Sequence, residues 1–314
     1  MKTLDVISVG AALVDMIAMV ERFPQADDEV YVPDLRIGSG GSAANFAVAC
    51  SRLGLRTGFI GKIGEDFLGD QLIQDFKKEG VDIQGIIRTD EIHTGLCYIP
   101  VDPDGNRRMF AFSGAANILA PNDIKSSYID STRLLYVASL KNIPVLESAA
   151  EHAKGKNILV SLNPGALIAE QGFEKTKKLL STTDIYISSM NEVERLLDIT
   201  EPKEAIEKLL QLGITKVAIT LGSEGCIVAN NKEQHSVPNF KVDVVDTTGA
   251  GDAFTAGFIS GLLRNLSLEE CGRIGNASAA LCITKVGARN GLPTLDQLNN
   301  FLEKNLQKGA ANER

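Results

Sequence analysis

The stretch RLLYVASLKNIPVLESAAEHAKGKNILVSLN, residues 133–163, reads as strand, helix, strand. Its outer runs, RLLYVAS (133–139) and NILVSLN (157–163), are short and apolar at consecutive positions, as strands covered on both faces are. Between them PVLESAAEHAKG (144–155) repeats its apolar residues at helical spacing and closes on a glycine suited to a left-handed helix cap. The same alternation recurs along the chain. LDVISVG (4–10), RTGFIG (56–61), DIYISS (184–189) and KVAITLG (216–222) read as strands, and SAANFAVACSRLG (42–54) and EPKEAIEKLLQLG (201–213) as helices. Apolar strands joined by helices predict a doubly wound α/β fold, a parallel sheet with helices on both faces.

Two stretches break the pattern. Residues 16–37 and 94–113 look like strand pairs joined by turns, and DPDGN at 102–106 is a strong hairpin signal. They predict a small β-sheet protruding from the core as a lid. After 246 the chain turns helical, at about 250–264, 268–284 and 294–304, and 307–314 reads as a frayed tail. With no repeat and no linker, the expectation is one domain, 1–314, with a lid.

Composition narrows the function. A net charge of −8 argues against broad binding to nucleic acid or anionic membrane, whose phosphates it would repel. No apolar run approaches the length of a membrane span, and MKTLDVISVGAALVD reads as a first strand, not a signal peptide. Cys50, Cys97, Cys226, Cys271 and Cys282 are odd in number and never CxxC. They suit apolar core positions in a reducing compartment, the cytoplasm.

The chemistry concentrates in DTTGAGDAFTAGF (246–258). Gly249 and Gly251 allow unusual torsions and close approach of a ligand. With Ala250 they open a helix whose unpaired amides attract an anion. Asp252 then stands beside an anion site, where a carboxylate makes sense as the base for a hydroxyl attacking a phosphoryl group. Alone, the position equally suits an acid stabilising a helix N-terminus. In GSGGSAANFAVACSRLG (38–54) a glycine turn opens a second helix, with Asn45 able to donate to and accept from a sugar hydroxyl. Asp15 ends VGAALVD and suits a pair of hydroxyls, or a plain turn. In SSMNEVERLL (188–197), Asn191 and Glu194 share a helix face and could orient phosphates and hydrated Mg²⁺. A capping box with Ser189 or Asn191 at the cap explains the same residues. TLGSEG (220–225) suits a nucleotide edge or a hairpin.

Taken together these motifs resemble the ribokinase-like (PfkB) carbohydrate kinases over nearly the whole chain. GGSAANFAVACSRLG resembles that family's N-terminal signature and DTTGAGDAFTAGF its C-terminal one. The resemblance implies an ATP-dependent phosphotransferase moving the γ-phosphoryl group to a primary alcohol of a ribose-like sugar or related carbohydrate, or of a nucleoside. It implies Asp252 as catalytic base and Gly249, Ala250 and Gly251 as the anion hole. Asp15, Gly40, Gly41 and Asn45 would bind the acceptor. Asn191 would serve ATP and Glu194 Mg²⁺ through water, while Thr220, Gly222, Gly225 and Asn276 would lie along ATP. K⁺ would fit Asp246 and Thr248, although Gly291 replaces a serine that contributes to that site in ribokinase. The lid would pair two subunits into a homodimer. Ribokinase has a lysine where this chain has Ser42, and a substrate-contacting glutamate near Ser139, so the acceptor stays open. GAANIL (114–119) resembles the lid return. Arg107 and Arg108 could meet an acidic substrate, but read more simply as exposed strand charges.

Other classes fare worse. Gly38, Gly40 and Ala43 form a GxGxxA pattern, but it follows a lid segment where a dinucleotide fingerprint follows the first core strand. No GxxxxGK[ST] is present, and GGSAA misses GxSxG. A non-catalytic sugar-binding protein on the same fold stays open, and retention of Asp252 with its glycines speaks against it.

Overall fold

Successive residues of a central strand face opposite layers, and here both layers are dry. Along β1 (Leu4–Val9), Val6 enters one apolar cluster and Ile7 and Val9 the other. The computed structural model describes residues 2–138 and 140–312, with side chains through Leu306. The remaining core strands are β4 (Thr57–Gly64), β5 (Asp82–Thr89), β8 (Thr132–Ala138), β9 (Leu159–Asn163), β10 (Ile185–Ser189), β11 (Lys216–Thr220), β12 (Cys226–Asn230) and β13 (Gln234–Val237). They form one sheet in the order β13-β12-β11-β10-β9-β8-β1-β4-β5. From β11 to β5 every pairing is parallel, while β12 and β13 add an antiparallel edge. The sheet is thus the doubly wound parallel sheet expected, with an antiparallel edge added after TLGSEG. The edge strands are short and follow a tight turn, so they carry no helix between them.

Helices α1 (Ser42–Arg52), α2 (Phe67–Lys78), α9 (Ala250–Leu263), α10 (Leu268–Cys282) and α11 (Leu295–Asn312) cover one face. The other is covered by α3 (Ser126–Ile129), α4 (Ile143–Gly155), α5 (Gly165–Ala169), α6 (Gly172–Ser181), α7 (Met190–Leu197) and α8 (Pro202–Gln211). Gly54 and Gly213 adopt positive φ after their helices, as the sequence predicts. Gly155 stays helical, and Asn157 takes the left-handed turn in its place, at φ 55°, a conformation asparagine tolerates. The tail expected from 307 is the last part of α11 as far as Asn312, and the rest lies outside the described residues. All five cysteines are buried and free.

A separate sheet holds β2 (Leu13–Met19), β3 (Asp34–Gly40), β6 (Thr94–Val101) and β7 (Phe110–Gly114), ordered β3-β2-β6-β7. Two antiparallel hairpins, β2–β3 and β6–β7, are joined by parallel pairing of β2 with β6. The two lid segments thus span 13–40 and 94–114, slightly wider than the sequence reading. From β1 the chain builds outward to β4 and β5, then returns to build β8 to β11 on the other side. This reversal opens a crevice at the carboxyl ends of the central strands, the usual ligand position in such sheets.

Candidate active site

Helices α2, α7 and α10 start on side-chain caps from Asp66, Ser189 and Ser267. The two signature helices do not. Gly41 (φ 94°) precedes α1 and Gly249 (φ 81°) precedes α9, both without a side-chain cap. No side chain caps their first amides, and at α9 the Ala250 amide meets the Thr247 carbonyl at 3.2 Å. Each glycine is also required by packing: a Cβ on Gly249 would lie 2.5 Å from the Ala288 carbonyl, and one on Gly41 2.5 Å from that of Ala11. Gly251 differs, because a Cβ there would meet nothing within 4 Å. Its open side faces a cavity.

The two helix starts converge on Asp252. Ser42 Oγ donates to Asp252 Oδ1 at 2.6 Å and Asn45 Nδ2 donates to Oδ2 at 3.0 Å. Burial pushes the Asp252 carboxyl up to about 6, with the two hydrogen bonds pulling it down and Glu192 pushing further up. A carboxylate poised there can accept a proton near neutral pH. Asp15 stands on β2, opposite Gly38 of β3. Burial pushes it up to about 6 as well, opposed by the charge of Arg289. Gly40 leaves room for it, since a Cβ there would sit 2.2 Å from Asp15 Oδ2.

Two cavities meet at the start of α9. One, of about 820 Å³, is lined by Ser42, Asn163, Asn191, Glu192, Thr248 and Asp252 among others. The second, of about 680 Å³, is lined by Thr220, Gly222, Gly225, Asn239 and Asn276 among others. Thr220, Thr247, Ala250, Gly251 and Phe254 border both. Asn276 also fastens the chain after β13, its Nδ2 donating to the carbonyls of Val237 and Pro238 at 3.0 and 3.1 Å. A third cavity, about 320 Å³, lies under the lid and is lined by Asp15, Gly38, Ser39 and Arg289 among others.

Asn191 and Glu194 divide. Asn191 lines the larger cavity, whereas Glu194 is exposed and does not. Glu192 takes the wall position beside Asn191, and with Ser189 it forms the capping box of α7. Ahead of α9, Asp246 Oδ1 accepts from the amide and hydroxyl of Thr248, at 2.9 and 2.7 Å. Its Oδ2 accepts from the Gly287 amide at 2.7 Å. These bonds hold its carboxyl below its ordinary value against burial, which raises it.

Three residues gain a place here that sequence reading did not give them. Ser42, noted as a departure, bonds the acid directly. Arg107, read more simply as an exposed strand charge, reaches from the lid to Thr248 Oγ1 at 3.0 Å and lines the larger cavity, while Arg108 stacks over Phe23 inside the lid. Arg289, in a loop with no motif to mark it, donates from Nε to Asn45 Oδ1 at 2.9 Å. Ser139 lies outside the described residues.

The model of the pfkB family carbohydrate kinases matches residues 3–295. The chain belongs to that family. An uncharacterized sugar kinase of Archaeoglobus fulgidus is 39% identical over 77% of this chain and 97% of its own. A ribokinase of Staphylococcus aureus is 33% identical over 94% of this chain and 98% of its own. Among solved structures, Arabidopsis thaliana ribokinase complexed with ribose and ATP superposes with a TM-score of 0.85, at 25% identity over 95% of this chain and 98% of that one. The architecture is the ribokinase fold, and this kinase is similar in sequence to both sugar kinases and nucleoside kinases.

Proposed function

We propose that this kinase moves the γ-phosphoryl group of ATP to a primary alcohol of a sugar, with Asp252 as general base. One observation carries the reading: the Asp252 carboxylate, in the first turn of α9, is held by Ser42 and Asn45 from the first turn of α1. The acid, the uncapped amides and the cavities on either side supply what phosphoryl transfer needs, which is positioning, donors for the equatorial oxygens and a base.

In this reading adenosine occupies the 680 Å³ cavity along Thr220, Gly222, Gly225 and Asn276. The phosphates run toward Asn191 and the amides of Gly249, Ala250 and Gly251. The acceptor lies under the lid against Asp15, Gly40, Gly41 and Asn45, with its hydroxyl at Asp252. That oxygen bonds to phosphorus as the bond to the ADP oxygen breaks, and its proton passes to Asp252. Asn191 and Glu192, which line the wall, would hold Mg²⁺, and exposed Glu194 would reach it through water. When bound, the ion neutralises phosphate charge. K⁺ would sit by Asp246 and Thr248. The lid exposes Leu35, Ile37, Phe110 and Phe112, apolar area that a second subunit would cover in a homodimer. Among the described residues no helix is long and apolar enough to cross a membrane, and we place the enzyme in the cytoplasm.

A coupled ADP-release screen over pentoses, hexoses, their acids and nucleosides tests the assignment, with Asp252→Asn beside the wild type. The variant should fold, bind ATP and lose about 10²-fold or more in kcat. Turnover within a few-fold of wild type would remove Asp252 as base, and nucleosides outrunning every sugar would move the acceptor class.

A further inference from the structure

Arg289 lies between α10 and α11, and its loop is already fastened without its side chain. Arg52 Nη1 donates to the backbone carbonyls of Arg289 and Leu292, at 2.7 and 3.1 Å, while the Arg52 guanidinium pairs with Glu79. The Arg289 side chain turns inward over the Phe76 ring, 5.7 Å from its centre. Nε donates to Asn45 Oδ1. Nη2 is closed off from solvent and has no hydrogen-bond partner among the described residues, an arrangement that costs stability.

A guanidinium only donates, so it takes the oxygen end of the Asn45 amide. The opposite end, Nδ2, is thereby turned to Asp252 Oδ2. Were the amide reversed, its oxygen would face a carboxylate, acceptor against acceptor. We propose that Arg289 is the positioning residue of the catalytic base, acting through Asn45 to present a donor to Asp252. This rests on the assignment of Asp252 as base. The other groups facing Asp252 are Ser42 from α1, Glu192 from α7, Tyr136 from β8 and Cys282 from α10, and the Arg289 charge also lowers the Asp252 carboxyl directly.

The test uses the full chain with aspartate carboxyls labelled with ¹³C, so that the Asp252 titration is read without any acceptor. Arg289→Lys and Asn45→Ala should each move it up by half a pH unit or more, and the double variant of these two should move it no further than Asn45→Ala alone. Arg289→Lys keeps the charge but not the Nε donor, so it isolates the path through Asn45, whereas Arg289→Met also removes the direct charge and should shift Asp252 further up. The Lys variant also carries the test if the Met variant fails to fold. ADP release with the most active acceptor of a panel containing D-ribose, D-fructose and adenosine should fall about tenfold in kcat, with ATP affinity unchanged within twofold. Additive shifts in the double variant, or wild-type titration and rate in Arg289→Lys, would overturn the proposal. Asp252→Asn separates the two readings. If it turns over, the base assignment fails while the coupling of Arg289 to Asn45 is still read by NMR. If it is inactive and Arg289→Met is not impaired, only the positioning role fails.

Discussion

Ser42 Oγ donates to Asp252 Oδ1 at 2.6 Å across 210 residues of sequence. The bond stabilises the ionised carboxylate, which burial disfavours and holds at about 6. A general base works only when deprotonated, so kcat/KM should fall below about pH 6, more steeply than a slope of one where Asp15, also at about 6, must be ionised to bind the acceptor. Ser42→Ala removes a donor to the charged form, so the acid limb should move to higher pH. Activity at pH 8 should drop only a few-fold. A pH–rate profile of the two proteins reads this directly, and an unmoved limb would exclude the hydroxyl as a tuning group.

Two glycines of one motif should respond in opposite ways. Gly251→Ala meets nothing within 4 Å and lies inside α9. It should leave the stability unchanged or raise it, by up to about 1 kcal/mol of helix propensity. ADP release should collapse, because the methyl group enters the space of the transferred phosphoryl group. Gly249→Ala forces both a positive φ and a 2.5 Å approach to the Ala288 carbonyl, and should destabilise by about 1–3 kcal/mol. Calorimetry with an activity assay separates the two.

Asp15 carries a cost that Asn would not. Its carboxyl is pushed from 3.8 to about 6 in the fold. A raised pKa means that the folded state binds the proton more tightly, so the ionised group destabilises the fold above about pH 6. That penalty, about 2–3 kcal/mol, shrinks as pH falls through 6 and vanishes below 3.8. Asp15→Asn should therefore be more stable than wild type at pH 8 and nearly equal at pH 4 in urea melts. Acceptor affinity should fall while ATP affinity holds.

Monovalent-cation dependence should be shallow. Both oxygens of Asp246 are already engaged by Thr248 and Gly287. No side chain fits at position 291, where a Cβ would lie 2.0 Å from the Cys282 carbonyl. Exchanging K⁺ for Na⁺ should change kcat/KM by less than about threefold, with Gly291→Ser folding poorly by thermal melt. A tenfold activation by K⁺ would show that the loop opens to take the ion.

The lid should close on the acceptor and exclude water from the transfer. Hydrogen exchange should slow in 13–40 and 94–114 when acceptor binds. ATP alone should protect 220–225 and the α10 segment around Asn276. Unchanged lid exchange with acceptor bound would mean that the lid is fixed.

Six core strands were legible because burial on both faces writes an uninterrupted apolar run, as in LDVISVG and KVAITLG. The two lid hairpins were legible through their turns. β5, DIQGIIRT, was not, because a half-exposed edge strand has a mixed pattern; β12, as long as β11, follows the TLGSEG turn with no intervening α-helix to set it apart, and β13 is four residues with only Val237 buried. At the site, glycine motifs announce themselves because backbone geometry permits few alternatives. Arg289 does not, since its role comes from a side chain reaching across the fold to Asn45. Glu192 was hidden by its neighbour: helical spacing favours Asn191 with Glu194, while the cap turns Glu192 to the cavity.

The lid is made of two segments, 13–40 and 94–114, that meet through the pairing of β2 with β6, from Leu13–Gly95 to Met19–Val101, through the Val20 amide on the Val101 carbonyl and through Arg108 over Phe23. None of Asn191, Thr220, Gly222, Gly225 or the 246–252 turn lies within them. A lineage that rewrites the lid must therefore keep the reach of Arg107 to Thr248 Oγ1 in that turn. It must rewrite both segments together, because a β2 selected for one β6 is out of register with another. Chimeras that exchange both segments should fold, and chimeras that exchange one should not.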